Sequence, residues 1–96
     1  MRQAYIVAYD VADDRRLRAA YRILLGFGDP LQYSVFYCEL SVVEKQLLKE
    51  RLWDALEFSA DRVMVVALGP ADVERSSVEF WGEPRVTPSP RAAVVV

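Results

Sequence analysis

A chain of 96 residues with 53 % hydrophobic content has room for one modest core and gains from burying further surface in an oligomer. Its single cysteine, Cys38, excludes an internal disulfide and a multi-cysteine metal site, and the lack of histidine excludes any mechanism with a histidine base, nucleophile or ligand. The formal net charge of −2 argues against strong DNA binding through bulk charge. With no apolar run of about 18 residues and no signal-peptide pattern after Met1, the expected setting is cytoplasmic, away from membranes.

Residues 4–9, Ala-Tyr-Ile-Val-Ala-Tyr, are aromatic, aliphatic and apolar throughout, which predicts a strand buried on both faces and central in its sheet. Asp10 ends this run and shares a face with Ile6 and Ala8, because side chains alternate along a strand. Asp13 and Asp14 are candidate caps for a helix that runs to about Leu25. Leu17, Ala20, Tyr21 and Leu24 recur at helical spacing as one apolar stripe. Arg15, Arg16, Arg18 and Arg22 fall mainly off that stripe. They are part of a basic complement of 12 residues that is arginine except for Lys45 and Lys49. The planar guanidinium suits bidentate phosphate contacts, which makes this cluster a candidate nucleic-acid surface; a solvated helix face is the plainer alternative.

Gly26 and Gly28 offer a helix C-cap and a turn. Leu31 to Leu40 reads as β-structure, either one strand or two short ones. Ser41-Val42-Val43-Glu44 is a capping box opening a second helix, with Val43, Leu47, Leu48, Leu52 and Leu56 as its apolar face. Asp61 to Leu68 predicts another strand buried on both faces, stopped by Gly69-Pro70. A polar connection over 71–77, a short strand over Val78 to Trp81 and a β-prone apolar segment over Arg91 to Val96 follow. If the middle region supplies two strands, the order is βαββαβ, the ferredoxin-like α+β arrangement, with a core over 1–70 and an extension over 71–96. Helices cover one face of such a sheet, so an apolar open face predicts a homodimer, with the tail strands extending the partner's sheet.

Asp10 is the first candidate for chemistry. A carboxylate ending an apolar strand needs solvent, hydrogen bonds or a cation. Turn formation with the backbone of residues 11–13 satisfies it without chemistry; ligation of a hard cation is the functional alternative. Magnesium often takes only one or two carboxylates, so one aspartate per chain suffices if a two-fold axis joins two copies. Without histidine, water activated by such a cation is the nucleophile left for phosphodiester cleavage. Asp13 and Asp14 are explained as caps and Cys38 as a buried core thiol.

Tyr5-Ile6-Val7-Ala8-Tyr9-Asp10-Val11-Ala12-Asp13-Asp14-Arg15-Arg16, and Gly28 followed by Leu31-Gln32-Tyr33-Ser34-Val35-Phe36, resemble two motifs of the CRISPR-associated protein 2 family at matching spacing. The resemblance covers residues 4–69 and is looser in the tail. It implies a ferredoxin-like homodimer acting in CRISPR adaptation, where the dimer bridges integrase subunits during spacer acquisition for antiviral defence. It also implies magnesium-dependent endonuclease activity on RNA or double-stranded DNA. The family's metal-binding, catalytic aspartate corresponds to Asp10 and its basic helix-start residue to Arg16; Tyr9, Ser34 and Phe36 fall on structural motif positions. Pro30 departs from the pattern, since members often carry a basic residue there. A non-catalytic adaptor holding an integrase and DNA is the alternative, and a small-molecule regulatory dimer is a third reading.

Overall fold

A computed structural model describes residues 1–74, 78, 79, 81 and 82. Strand β1 spans Gln3–Asp10, helix α1 Asp14–Leu25, β2 Gly28–Gln32, β3 Val35–Leu40, α2 Val42–Ala55, β4 Arg62–Pro70, and a single turn of helix, α3, Ala71–Glu74. The sheet order is β2-β3-β1-β4, with every pairing antiparallel. This is the ferredoxin-like α+β arrangement, and the apolar run 4–9 does occupy a central strand.

Local chemistry sets the element ends. Asp13 caps α1, its side chain accepting from the Arg16 amide at 2.9 Å. Ser41 and Glu44 form the reciprocal capping box: the Ser41 hydroxyl accepts from the Glu44 amide at 3.1 Å, and the Glu44 carboxylate accepts from the Ser41 amide at 2.8 Å. The hydrogen bond from Ser41 and the pairing with Arg2 hold the Glu44 carboxyl below its ordinary value. Residues 31–40 resolve into two strands. The turn between them is Tyr33-Ser34, with Ser34 at φ 62, and the first strand begins earlier than expected, at Gly28. Pro30 lies buried on β2, an edge strand, where its missing N–H removes no ladder bond on the open side.

Both helices pack on one face. Tyr5, Val7 and Tyr9 of β1, Phe36, Cys38 and Leu40 of β3, Ala20 and Leu24 of α1, and Leu48, Leu52 and Leu56 form the main core. The apolar face of α2 is narrower than its spacing predicts, because Val43 and Leu47 are exposed. The opposite face gathers Ala4, Leu31 and Tyr37, with Ile6, Val35, Leu68, Ala71 and Val78 against them. Burial of β4 on both faces is not seen in the single chain: as an edge strand it leaves Met64 60 % and Val66 41 % exposed. Residues 71–74 form α3 rather than a simple connection, Val78, Glu79 and Trp81 lie outside any strand, and the apolar segment 91–96 lies outside the described residues. No helix among the described residues is long and apolar enough to cross a membrane.

Candidate nucleic-acid site at the Asp10 end of the sheet

Four segments converge at the end of the sheet where β1 finishes. Asp10 closes β1, and its register partner, Arg62, opens β4 beside it. The β2–β3 turn reaches the same end, where the Ser34 carbonyl accepts from the Tyr9 amide at 3.0 Å. The N-terminus of α1 completes the group, its cap Asp13 three residues beyond Asp10. Ser34 thus contributes its backbone rather than a nucleophilic hydroxyl.

The sequence motif residues Tyr9 and Phe36 are structural here. Phe36 is fully buried, its ring centroid 6.3 Å from Tyr9 and 5.4 Å from Tyr21. Burial, and to a lesser extent the neighbouring Tyr21, pushes the Tyr9 phenol above its ordinary value of 10.0, so it stays protonated at neutral pH. This aromatic wedge fixes the direction in which β1 delivers Asp10.

Asp10 itself projects into solvent, its side chain 77 % exposed. Its nearest cation is the Arg62 guanidinium at 3.7 Å, also in solvent, and such a pair contributes little to stability. Asp13, by contrast, is engaged as the α1 cap. Among the described residues no group of three or more His, Cys, Asp or Glu side chains is placed to hold a metal ion. Asp10 therefore stands as a solvent-facing carboxylate outside any such cluster, which fits a magnesium site only if the remaining positions are filled by water, substrate or a second copy.

The four candidate arginines divide into two groups. Arg15, Arg18 and Arg22 are exposed and recur at i, i+3 and i+7, which places them along one face of α1. No ion pair joins them to a carboxylate among the described residues. Arg16 lies elsewhere: its Nε and Nη2 donate to the buried Asp61 carboxylate at 2.7 and 3.1 Å. Asp61, Arg62 and the exposed Tyr33 are residues that sequence reasoning passed over. For Asp61 the signal was an acid directly before an apolar strand, the mirror image of Asp10 at the end of β1. A cleft of about 510 Å³ lined by Arg2, Asp29, Glu44 and Arg51 lies at the far end of β3 and shares no residue with this site.

The family model described as CRISPR associated protein Cas2 matches residues 3–76. A Synechocystis protein named CRISPR-associated endoribonuclease Cas2 is 35 % identical over 91 residues, covering 95 % of this chain and 97 % of its own length. A Geobacter sulfurreducens protein of the same name is 33 % identical over 96 residues, with both chains covered in full. Among solved structures, the Thermus thermophilus protein TT1823 superposes with a TM-score of 0.77 at 27 % identity, covering 93 % of this chain and 100 % of that one. Streptococcus pyogenes Cas2 superposes with a TM-score of 0.73 at 27 % identity, over 82 % of this chain and 99 % of that one. The strand order, the two motifs around Asp10 and Phe36 and these matches along nearly the whole chain agree, and the chain belongs to the CRISPR-associated protein Cas2 family.

Proposed function

We propose that this chain is a metal-dependent endonuclease acting on RNA or double-stranded DNA, that it works as a homodimer, and that it serves spacer acquisition beside a CRISPR integrase subunit. The observation that carries the reading is Asp10, a solvent-facing carboxylate delivered by the central strand to the end of the sheet where α1 begins. The names of the endoribonuclease relatives support it.

In this mechanism Asp10 of each chain would hold a divalent cation. Magnesium, when bound, supplies Lewis-acid polarisation of the phosphodiester. Arg15, Arg18 and Arg22 grip backbone phosphates and set the register of the nucleic acid, as exposed arginines on one helix face do. Tyr9, held by Ser34 and packed against Phe36, keeps the strand end from moving. Pro30, at a position where the resemblance implies a basic residue, brings no charge, so in this reading phosphate binding rests on α1. Two features support dimerisation: the apolar open face with Met64 and Val66 in solvent, and the β4 edge, which pairs with no strand among the described residues. The tail segment 91–96 has the composition to pair with such an edge in a partner.

A specific observation favours a second reading, the non-catalytic adaptor: among the described residues Asp10 belongs to no cluster of three or more potential metal ligands, and Arg62 already stands near. One experiment separates the two. Wild type and Asp10→Ala are incubated with RNA and duplex DNA, with magnesium and with chelator. Magnesium-dependent cleavage lost in the variant supports the nuclease. Cleavage retained by Asp10→Ala removes Asp10 from the mechanism, and cleavage by neither protein leaves the adaptor in place.

A further inference from the structure

We propose that Asp61, acting through Arg16 and the Ala12 amide, is the residue that positions the Asp10 loop, and that Arg16 acts as a strut rather than a phosphate ligand. The inference rests on the reading of Asp10 as the functional carboxylate. It begins from burial: the Asp61 side chain is 0 % exposed, whereas its partner Arg16 is 30 % exposed. A charged carboxylate with no access to water is tolerated only where donors replace the water it has lost.

Four donors do so. Oδ1 accepts from the Ala12 amide at 3.0 Å and from Arg16 Nη2 at 3.1 Å; Oδ2 accepts from Arg16 Nε at 2.7 Å and from the Glu57 amide at 2.8 Å. One side chain therefore ties together the loop after β1, the first turn of α1 and the connection from α2 to β4. Ala12 is two residues from Asp10, so the bond to its amide fixes the chain just past the functional carboxylate. The next residue, Arg62, is the register partner of Asp10 itself. The dipeptide Asp61-Arg62 thus holds Asp10 from both sides, through a buried network beyond it and a strand pairing beside it.

The same geometry decides what Arg16 does. Its Nε and Nη2 form a bidentate fork on Asp61, an arrangement that holds an arginine from turning toward another anion. Arg15, Arg18 and Arg22 carry no such commitment among the described residues. A basic residue at the start of a helix near a functional carboxylate reads as a phosphate contact from sequence; the structure assigns it to scaffolding.

The test compares Asp61→Asn, Arg16→Gln and Arg16→Lys with wild type and with Asp10→Asn. Three measurements are made: amide exchange at Ala12 by NMR, Mn²⁺ affinity from paramagnetic broadening of the residue 9–12 amides, and the salt dependence of duplex binding. Asp61→Asn is expected to speed Ala12 exchange more than about ten-fold, with Val7 and Phe36 unchanged, and to weaken Mn²⁺ affinity about ten-fold, as loss of a residue behind a metal ligand does. Arg16→Gln is expected to leave the slope of log K against log salt at its wild-type value, whereas Arg18→Gln lowers it by about 0.9. If Asp61→Asn does not fold, Arg16→Lys, which keeps the charge and loses the fork, carries the exchange and Mn²⁺ measurements. Wild-type Ala12 protection, wild-type Mn²⁺ affinity, or a slope reduced by about 0.9 in Arg16→Gln overturns the proposal. Failure of the underlying reading looks different: Asp10→Asn then binds Mn²⁺ as wild type does.

Discussion

Replacing Gly28 with alanine tests whether the β2–β3 pairing is as close as the structure makes it. Gly28 faces Cys38 across the ladder, and a Cβ placed on it lies 2.3 Å from the Tyr37 carbonyl oxygen, 2.5 Å from Cys38 Sγ and 3.0 Å from Cys38 Cα. Two of those three atoms are backbone in β3, which is itself paired to β1, so no rotamer change relieves the overlap. Overpacking of this kind costs about 1–3 kcal/mol, and rigid neighbours place Gly28→Ala near the upper end. For a chain of this size about 3 kcal/mol corresponds to a fall in Tm of roughly 12–24 °C. The assay is thermal unfolding by circular dichroism at one fixed protein concentration, because self-association raises Tm by mass action. Gly26→Ala serves as control: Gly26 sits at φ −77, open to any residue, and its added Cβ meets only the Ile23 carbonyl at 3.3 Å, so the change stays within about 1 kcal/mol. The double variant Gly28→Ala/Cys38→Ala removes the sulfur but not the carbonyl and remains strongly destabilised. A Gly28→Ala protein melting within about 5 °C of wild type, or recovery in the double variant, refutes the close approach.

Three further outcomes are expected. Burial, with the nearby Asp29 adding to it, pushes the Cys38 thiol up to about 12, so iodoacetamide at pH 8 modifies Cys38 only after denaturation; rapid labelling of the folded protein contradicts this. The Asp61 carboxyl is held below its ordinary 3.8 chiefly by the Arg16 hydrogen bonds, against the opposing cost of burial and with help from the Ala12 and Glu57 amides. Its folded value being the lower one, its contribution is fully present above about pH 5 and is lost as pH falls toward that value; the stability gap between wild type and Asp61→Asn in urea therefore narrows from pH 7 to pH 2.5, and a constant gap speaks against the linkage. Val66→Lys places a charge on the open sheet face and shifts the light-scattering mass toward a single chain at micromolar concentration; an unchanged mass removes that face from the dimer.

The parts of the fold that could be read from sequence are those decided by near neighbours. Ser41 and Glu44 announce the start of α2 because both halves of the capping box lie within one turn, and Asp13 marks α1 for the same reason. The division of residues 31–40 into two strands was not readable. Its turn, Tyr33-Ser34, lacks the Gly or Asn that usually marks a left-handed residue, yet Ser34 adopts φ 62 and gives its carbonyl to Tyr9. The exposure of Val43, Leu47 and Met64 was hidden because spacing fixes which residues share a stripe, not how wide a stripe the rest of the fold covers. At the site, Asp10 stood out because it ends an apolar run. Asp61 did not, since its role depends on Arg16, which lies 45 residues away in the chain.

The pairing of β1 with β4 also governs how the chain must be made. β1 is the first strand synthesised, yet its outer neighbour runs back along it from Arg62 to Pro70, so that Gln3 lies opposite Pro70 and the Arg2 carbonyl accepts from the Ala71 amide. About 60 residues must emerge before that neighbour exists, which at about 5–20 residues per second is roughly 3–12 s of synthesis. During that interval β1 has at first no strand and then only β3 beside it, and an apolar strand edge is open to whatever other chain is near. Slow translation between β1 and β4 prolongs the exposure.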